Sequence, residues 1–244
     1  MESRDQGLGN RGCGLEEVLF LTLLSAITRP TAASELPRAQ VEHSLQVTVR
    51  VYNYAEVPQK TLSSAVEEAR RIFQKGGVET DWVACLIGGA KPDPACEEHL
   101  GPAGIILKIL PASMATRLDA HWEHLGFAAS SATPSPGSDA WVFYRRVEEL
   151  AKFRIADREL ILSAAMAHEI GHLLLGLEPH SPSGIMRGKW HREDLMLLAQ
   201  GYLLFTSKQS EQMRKAVTTR LQQAELTQRR AKVLPMESIA VDRK

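Results

Sequence analysis

Hydrophobic and polar positions alternate with a period of two over Val47 to Tyr54 (VTVRVYNY), the signature of a half-buried strand. The period then lengthens. Ala65, Val66, Ala69, Ile72 and Phe73 recur at helical spacing between Leu62 and Lys75, and Gly76-Gly77 ends that helix. Val78 to Cys85 and Ile105 to Leu110 read as two further strands. Strand, helix, strand is the opening of an α/β unit. A loop rich in Ser, Pro and Gly (Ser130 to Asp139) separates a short strand at Gly126 to Ala129, placed at an edge, from a stronger one at Ala140 to Tyr144. A helical turn follows over Val147 to Phe153.

The second half of the chain is helical. Asp157 is a good N-cap for a helix running to Leu175, about 18 residues and about 27 Å long. Gly176 fits the C′ position, where a left-handed conformation is needed. Ala164, Ala165 and Ala167 are small enough for close packing on a sheet. A further helix is expected over Glu193 to Phe205, with Leu195, Leu197, Leu198 and Leu203 in the core. Ser210 to Glu225 continues helical, and the charged end from Gln228, carrying Pro235, reads as a flexible tail. There is no internal repeat.

The first residues differ in character. Arg4 and Arg11 lie in a polar leader, Val18 to Ile27 (VLFLTLLSAI) is apolar apart from Thr and Ser, and Thr31-Ala32-Ala33-Ser34 supplies small residues for cleavage. This order reads as a signal peptide over residues 1–33, too short to span a bilayer, and implies a secreted or periplasmic protein. Glu16 and Glu17 depart from the pattern, and a buried N-terminal helix is the alternative. Residues 34–44 read as a linker, 45–227 as the folded domain and 228–244 as the tail. The chain is 44% hydrophobic and 24% charged, an ordinary globular composition able to bury a sizeable core. Lys plus Arg equal Asp plus Glu at 29 each, so overall charge makes no case for nucleic acid or an anionic membrane. Cys13 would leave with the leader. Cys85 and Cys96 remain as an even pair, read as a disulfide in an exported protein or as free thiols in a cytosolic one.

The chemistry concentrates between Ala167 and Met186 (AHEIGHLLLGLEPHSPSGIM). His168, Glu169 and His172 form H-E-x-x-H. Two histidines four apart lie on one helix face, so both imidazoles can reach one ion. Catalytic zinc takes three protein ligands and keeps one position open. Glu169, beside the first histidine, can address a water in that position as general base and then acid. A chance occurrence, a surface helix carrying two histidines, is the alternative. His180 is the chosen third ligand. Glu178 is its rival, since carboxylates also bind zinc, and Pro179 between them disfavours both binding together.

These residues resemble the metzincin clan of zinc metalloproteases, whose pattern is H-E-x-x-H-x-x-G-x-x-H followed by a Met-turn. H-E-I-G-H, Ser181 after the third histidine and S-G-I-M look most like matrixins. The string HEIGHLLLG…HSPSGIMR is also similar to a group of predicted exported bacterial proteins. The spacing departs from the clan: its glycine and third histidine would fall at 175 and 178, where this chain has Leu175 and Glu178. Gly176 comes one residue late and His180 two.

The resemblance implies an α/β (α+β) zincin-like domain. That domain has a mixed twisted sheet with a backing helix and an active-site helix, then a Met-turn and a C-terminal helix. It implies zinc on His168, His172 and His180, and Met186 as an apolar floor that is not a ligand. The activity implied is that of an endopeptidase hydrolysing peptide bonds of a peptide or protein substrate through a metal-activated water, with Glu169 as base and acid. By the same resemblance, substrate pairs with an edge strand, here near Gly126 to Ala129, with a plain connecting loop as the alternative reading of those residues. Two other classes stay open: a zinc-binding protein without proteolytic activity, and a zinc hydrolase acting on a non-peptide amide.

Other polar residues are read as structural. His121 and His124 are expected to face solvent, His191 to cap or lie on the surface, and Asp194 to serve as a first-turn acid of its helix. No Ser-His-Asp constellation, phosphate-binding glycine loop or RNA-binding signature is visible.

Overall fold

The computed structural model describes residues 45–85, 94–117, 124–130, 138–176 and 180–238. The expected leader, linker and final residues, most of the Ser/Pro/Gly loop, His121 and the rival ligand Glu178 lie outside the described residues.

Five strands form one sheet in the order β2-β1-β3-β5-β4: β1 (Gln46–Asn53), β2 (Glu79–Cys85), β3 (Ile105–Leu110), β4 (Gly126–Ser130) and β5 (Ser138–Phe143). β2, β1, β3 and β5 run parallel, and β4 closes one edge antiparallel to β5, with Phe127 opposite Trp141. The first crossover is α1 (Gln59–Lys75). Asn53 organises its entry: its side chain accepts a hydrogen bond from the Val57 N–H at 3.0 Å and donates to the Val57 carbonyl at 2.9 Å. The short helices α2 (Pro94–Glu97) and α3 (Ala112–Arg117) flank β3, and α4 (Tyr144–Ala151) follows β5 directly. Tyr144 opens that helix; the sequence reading had it ending the strand.

Alternation along the strands turns Val47, Val49, Val51, Ile105, Leu107, Ile109, Ala140 and Val142 to one face, all buried. That face receives α1, through Leu62, Ala65, Ala69, Ile72 and Phe73, and α5 (Arg158–Leu175). Each large aliphatic side chain so buried contributes about 1.5–3 kcal/mol. Every residue of α5 from Ile161 to Leu174 is buried. Ala164, Ala165 and Ala167 bring its backbone close to its neighbours. Asp157 does precede the helix in extended conformation, but its side chain makes no capping bond. Glu159, in the first turn, accepts a hydrogen bond from Thr61 Oγ1 of α1 at 2.9 Å.

Three features of the second half of the chain differ from the sequence reading. Gly176 has φ +106° and ψ 164°, an extended mirror-image conformation open essentially only to glycine, so the chain leaves α5 extended rather than through a left-handed turn. α6 spans Arg192–Ala199, not Glu193 to Phe205. It stops because Gly201 takes φ +78° and closes a Schellman motif, with the Gly201 N–H on the Leu198 carbonyl at 2.9 Å and the Tyr202 N–H on Leu197 at 2.8 Å. Leu195, Leu198 and Leu203 are buried as expected, whereas Leu197 is exposed. α7 (Ser207–Ser238) begins earlier than Ser210 and continues through Gln228. Its start is a capping box, with Thr206 Oγ1 accepting from the Gln209 N–H at 3.3 Å and Gln209 Oε1 from the Thr206 N–H at 2.9 Å.

α7 also completes two other helices. Arg214 Nη1 donates to the Gly76 carbonyl at 2.9 Å and Arg220 donates to the Leu173 carbonyl, supplying donors to the C-terminal ends of α1 and α5. At the opposite side of the fold, a disulfide joins Cys85, at the end of β2, to Cys96 in α2, with Cα atoms 5.8 Å apart. Closing so short a loop stabilises by about 2–3 kcal/mol in the chain-entropy view. Among the described residues, no helix is long and apolar enough to cross a membrane.

Candidate metal centre

The last turns of α5 carry His168 and His172, both buried. Gly171 between them is a packing requirement. A Cβ there would lie 2.5 Å from Met186 Sδ and 2.9 Å from Phe205 Cε1, so only glycine lets the turn residue settle against the helix. Met186 is fully buried at that contact. Gly184, Ile185 and Met186 form a turn tied on both sides: the Ile185 N–H donates to Leu204 at 3.0 Å, and the Ser181 N–H donates to Met186 at 3.0 Å. Ser181 is held in turn by Gln209 Nε2 at 3.0 Å, which links the turn to α7.

His180 enters from the segment between α5 and this turn. It is exposed, and its ring lies flat against Gly188, where a Cβ would come within 3.0 Å of Nδ1. The three imidazoles converge. Ring centroids are 4.9 Å apart for His168 and His172, 4.9 Å for His172 and His180, and 5.4 Å for His168 and His180. One ligand atom from each lies within 4.8 Å of the others.

The tautomer of His168 follows from its partner. Its Nδ1 lies 2.7 Å from the Ile185 carbonyl, which can only accept, so Nδ1 carries the proton and Nε2 offers its lone pair inward. Trp190 Nε1 donates to the same carbonyl at 3.2 Å and sets its ring edge-on to His168 at 5.9 Å. His168 Nε2 and His172 Nε2 are 3.1 Å apart. Two nitrogens bound tetrahedrally to one zinc are separated by roughly 3.4 Å, so the donor set fits a zinc ion with a shift of a few tenths of an ångström. Burial pushes the His168 pKa down to about 4, with His172 and His180 adding to the effect against the Ile185 hydrogen bond, so the ring is a neutral ligand at neutral pH.

Glu169 is 3% exposed, and its Oε2 has no hydrogen-bond partner among the described residues. A buried, unpartnered carboxylate oxygen is costly and rare away from functional sites. Burial alone raises its pKa to about 8. Its side chain lies against the start of β4. A Cβ on Gly126 would fall 2.7 Å from Glu169 Cγ and 2.1 Å from the Trp141 carbonyl oxygen.

These residues share a cleft of about 350 Å³. Leu125 and the β4 residues Gly126 to Ala128 form one wall, and Phe127 is stacked on Trp141 at 4.2 Å. The segment Arg187 to Trp190 forms the other, α5 supplies the floor, and Arg146 and Leu150 of α4 close one end. The expected edge strand thus borders the histidines. His124 is exposed, as expected, and also lines the cleft. His191 takes the N-cap of α6, and Asp194 completes the capping box by accepting the His191 N–H at 2.8 Å while pairing with Arg187 at 3.2 Å. Both are structural, as their sequence reading had it. Trp190 and Gln209, absent from the sequence-derived set, support the centre from outside; the T-x-x-Q spacing of Thr206 and Gln209 is the signal that would have found the second.

No family model matches this sequence, and comparison with curated protein sequences finds no match. Among solved structures, the chain is similar to the crystal structure of archaemetzincin from Methanopyrus kandleri, with a TM-score of 0.42 and 16% identity over 73% of this chain and 99% of that one.

Proposed function

We propose that this chain is a zinc-dependent peptidase of metzincin type. The observation that carries the reading is the pairing of a convergent three-histidine cluster with Glu169, whose buried Oε2 has no partner among the described residues, in one open cleft. A site that only stabilised the fold would have no use for that carboxylate and would ordinarily be closed by a fourth protein ligand.

His168, His172 and His180 would hold the ion. Zinc bound there would supply Lewis acidity toward a peptide carbonyl and toward water. Glu169 does the proton work. In its ionised form, Oε2 accepts the proton of a water attacking the scissile carbonyl, then delivers it to the departing amine. Met186 and Gly171 keep the helix floor apolar and close-packed beneath the histidines. Ile185 and Trp190 hold the His168 ring. The edge strand β4 borders the cleft and would pair with an extended substrate by adding main-chain hydrogen bonds. The Cys85–Cys96 disulfide supports an exported protein.

The test is peptide-library cleavage by the zinc-loaded chain beside its Glu169→Ala variant. Cleavage by the parent alone, with zinc retained in both, is the expected result. Equal cleavage by both would remove Glu169 from the chemistry. Cleavage by neither, with one zinc per chain, would favour a binding protein or a hydrolase of non-peptide amides.

A further inference from the structure

The cleft differs in charge from the chain that builds it. Overall charge balances at zero, yet among the described residues lining the cleft three are cationic (Arg146, Arg187 and Lys189) and Glu169 is the only carboxylate. Two of the cations have carboxylates of their own outside the lining. Arg146 pairs with Glu149 along α4, and Arg187 bridges Asp194, whose side chain is 4% exposed. Lys189 has no ion-pair partner among the described residues. It is exposed, and it follows Gly188, the residue on which His180 rests. An ammonium group on a flexible stem therefore stands on the wall next to the exposed histidine.

The rest of the lining discriminates little. Leu125, Phe127, Ala128 and Leu150 offer apolar surface that accepts many side chains. A fixed positive charge is different: it attracts a carboxylate and repels a Lys or Arg placed at the same point, so it sorts substrates by sign.

We propose that the cleft selects peptides carrying an acidic side chain close to the scissile bond, and that Lys189 is the specificity-determining residue. This deepens the peptidase reading and rests on it for the word scissile, though not for the preference in binding. An attraction at a partly exposed site is worth up to about 1 kcal/mol, roughly a fivefold preference at low salt. Reversing the charge removes the attraction and adds a repulsion, for a change in the acidic-to-basic ratio of about tenfold or more.

Two readouts test this. The first is binding, measured on the full zinc-loaded chain with Glu169→Gln to prevent turnover. Fluorescein-labelled short peptides, identical except for Asp or Lys at the central positions, are titrated by anisotropy. The Asp peptide should bind about fivefold tighter, the advantage should fade with added sodium chloride, and Lys189→Glu should invert it. Equal affinities, or a preference unchanged in Lys189→Glu, would overturn the proposal. The second readout is cleavage of the same peptides by the chain with Glu169 intact. A selective binder that cleaves neither peptide would leave the charge preference standing and sink the peptidase reading. Cleavage with no preference for Asp would sink the charge preference and leave the peptidase.

Discussion

Gly126 and Glu169 touch across the cleft: a methyl group added to the glycine would sit 2.7 Å from Glu169 Cγ. The edge strand and the carboxylate proposed to do the proton work are thus positioned by one contact between residues 43 apart in sequence. Gly126→Ala should cost about 1–3 kcal/mol, because the new Cβ also meets the Trp141 carbonyl at 2.1 Å and neither neighbour is free to withdraw. Urea denaturation would measure that loss. Turnover should fall by more than the folded fraction does, since Glu169 is displaced in the molecules that remain folded.

The burial of Glu169 has a pH signature in the metal-free protein. Its ordinary pKa near 4.5 is raised to about 8 in the folded state. Below 4.5 both folded and unfolded forms are protonated and the contribution is fully present. As pH rises toward 8 the unfolded chain ionises while the folded one resists, so stability is lost, on the order of 4–5 kcal/mol. Glu169→Gln should flatten this decline between pH 5 and 8. Urea midpoints of parent and variant across that window, both stripped of metal, make the comparison; parallel curves would contradict it.

His168 acts in the opposite direction. Its pKa falls from 6.5 to about 4 on folding, so the unfolded chain takes up a proton that the folded ring refuses. Stability should drop as pH falls from 6.5 toward 4, and His168→Gln should lessen that slope. The same proton competes with metal, so zinc should be released over this acid range. Equilibrium dialysis against buffers of falling pH would follow the release.

His180, exposed and supported by Gly188, is the proposed third ligand, and its removal separates the two sequence readings. His180→Ala should lower zinc affinity by about a hundredfold or more, and Glu178→Ala should change it little. Competition with a chromogenic chelator gives both constants. A large loss in the glutamate variant would transfer the third position to Glu178.

Replacing Cys85 and Cys96 together by serine should reduce stability by about 2–3 kcal/mol while leaving zinc stoichiometry at the parent value, since the bridge lies at the far end of β2 and shares no residue with the cleft. Reductant added to the parent should lower its melting temperature to that of the variant and should not affect the variant itself.

Much of this organisation is local and therefore readable. Val47 to Tyr54 alternates because one face of β1 is buried, and Ile105 to Leu110 is apolar at every position but Lys108 because β3 is central. His168 and His172 are one turn apart by helix geometry, and His180, two residues late against the clan spacing, still joins them. The misses have specific causes. Leucine spacing was extended through Gly201, although that glycine carries the positive φ that ends α6. The Thr206–Gln209 capping box sets the start of α7 three residues ahead of the expected Ser210. Trp190, Gly126 and Lys189 acquire meaning only through residues distant in sequence: a shared carbonyl at Ile185, the side chain of Glu169, and a wall facing β4. No periodicity encodes such meetings.

The arginines of α7 make two distant helices depend on one later segment. Arg220 reaches back 47 residues to the end of the histidine helix, and Arg214 reaches back 138 to the end of α1. One helix thus acts as a clasp on the ends of two others. A chain cut short before Arg214 would lack both donors, and the last turn of the histidine helix would lose its guanidinium partner.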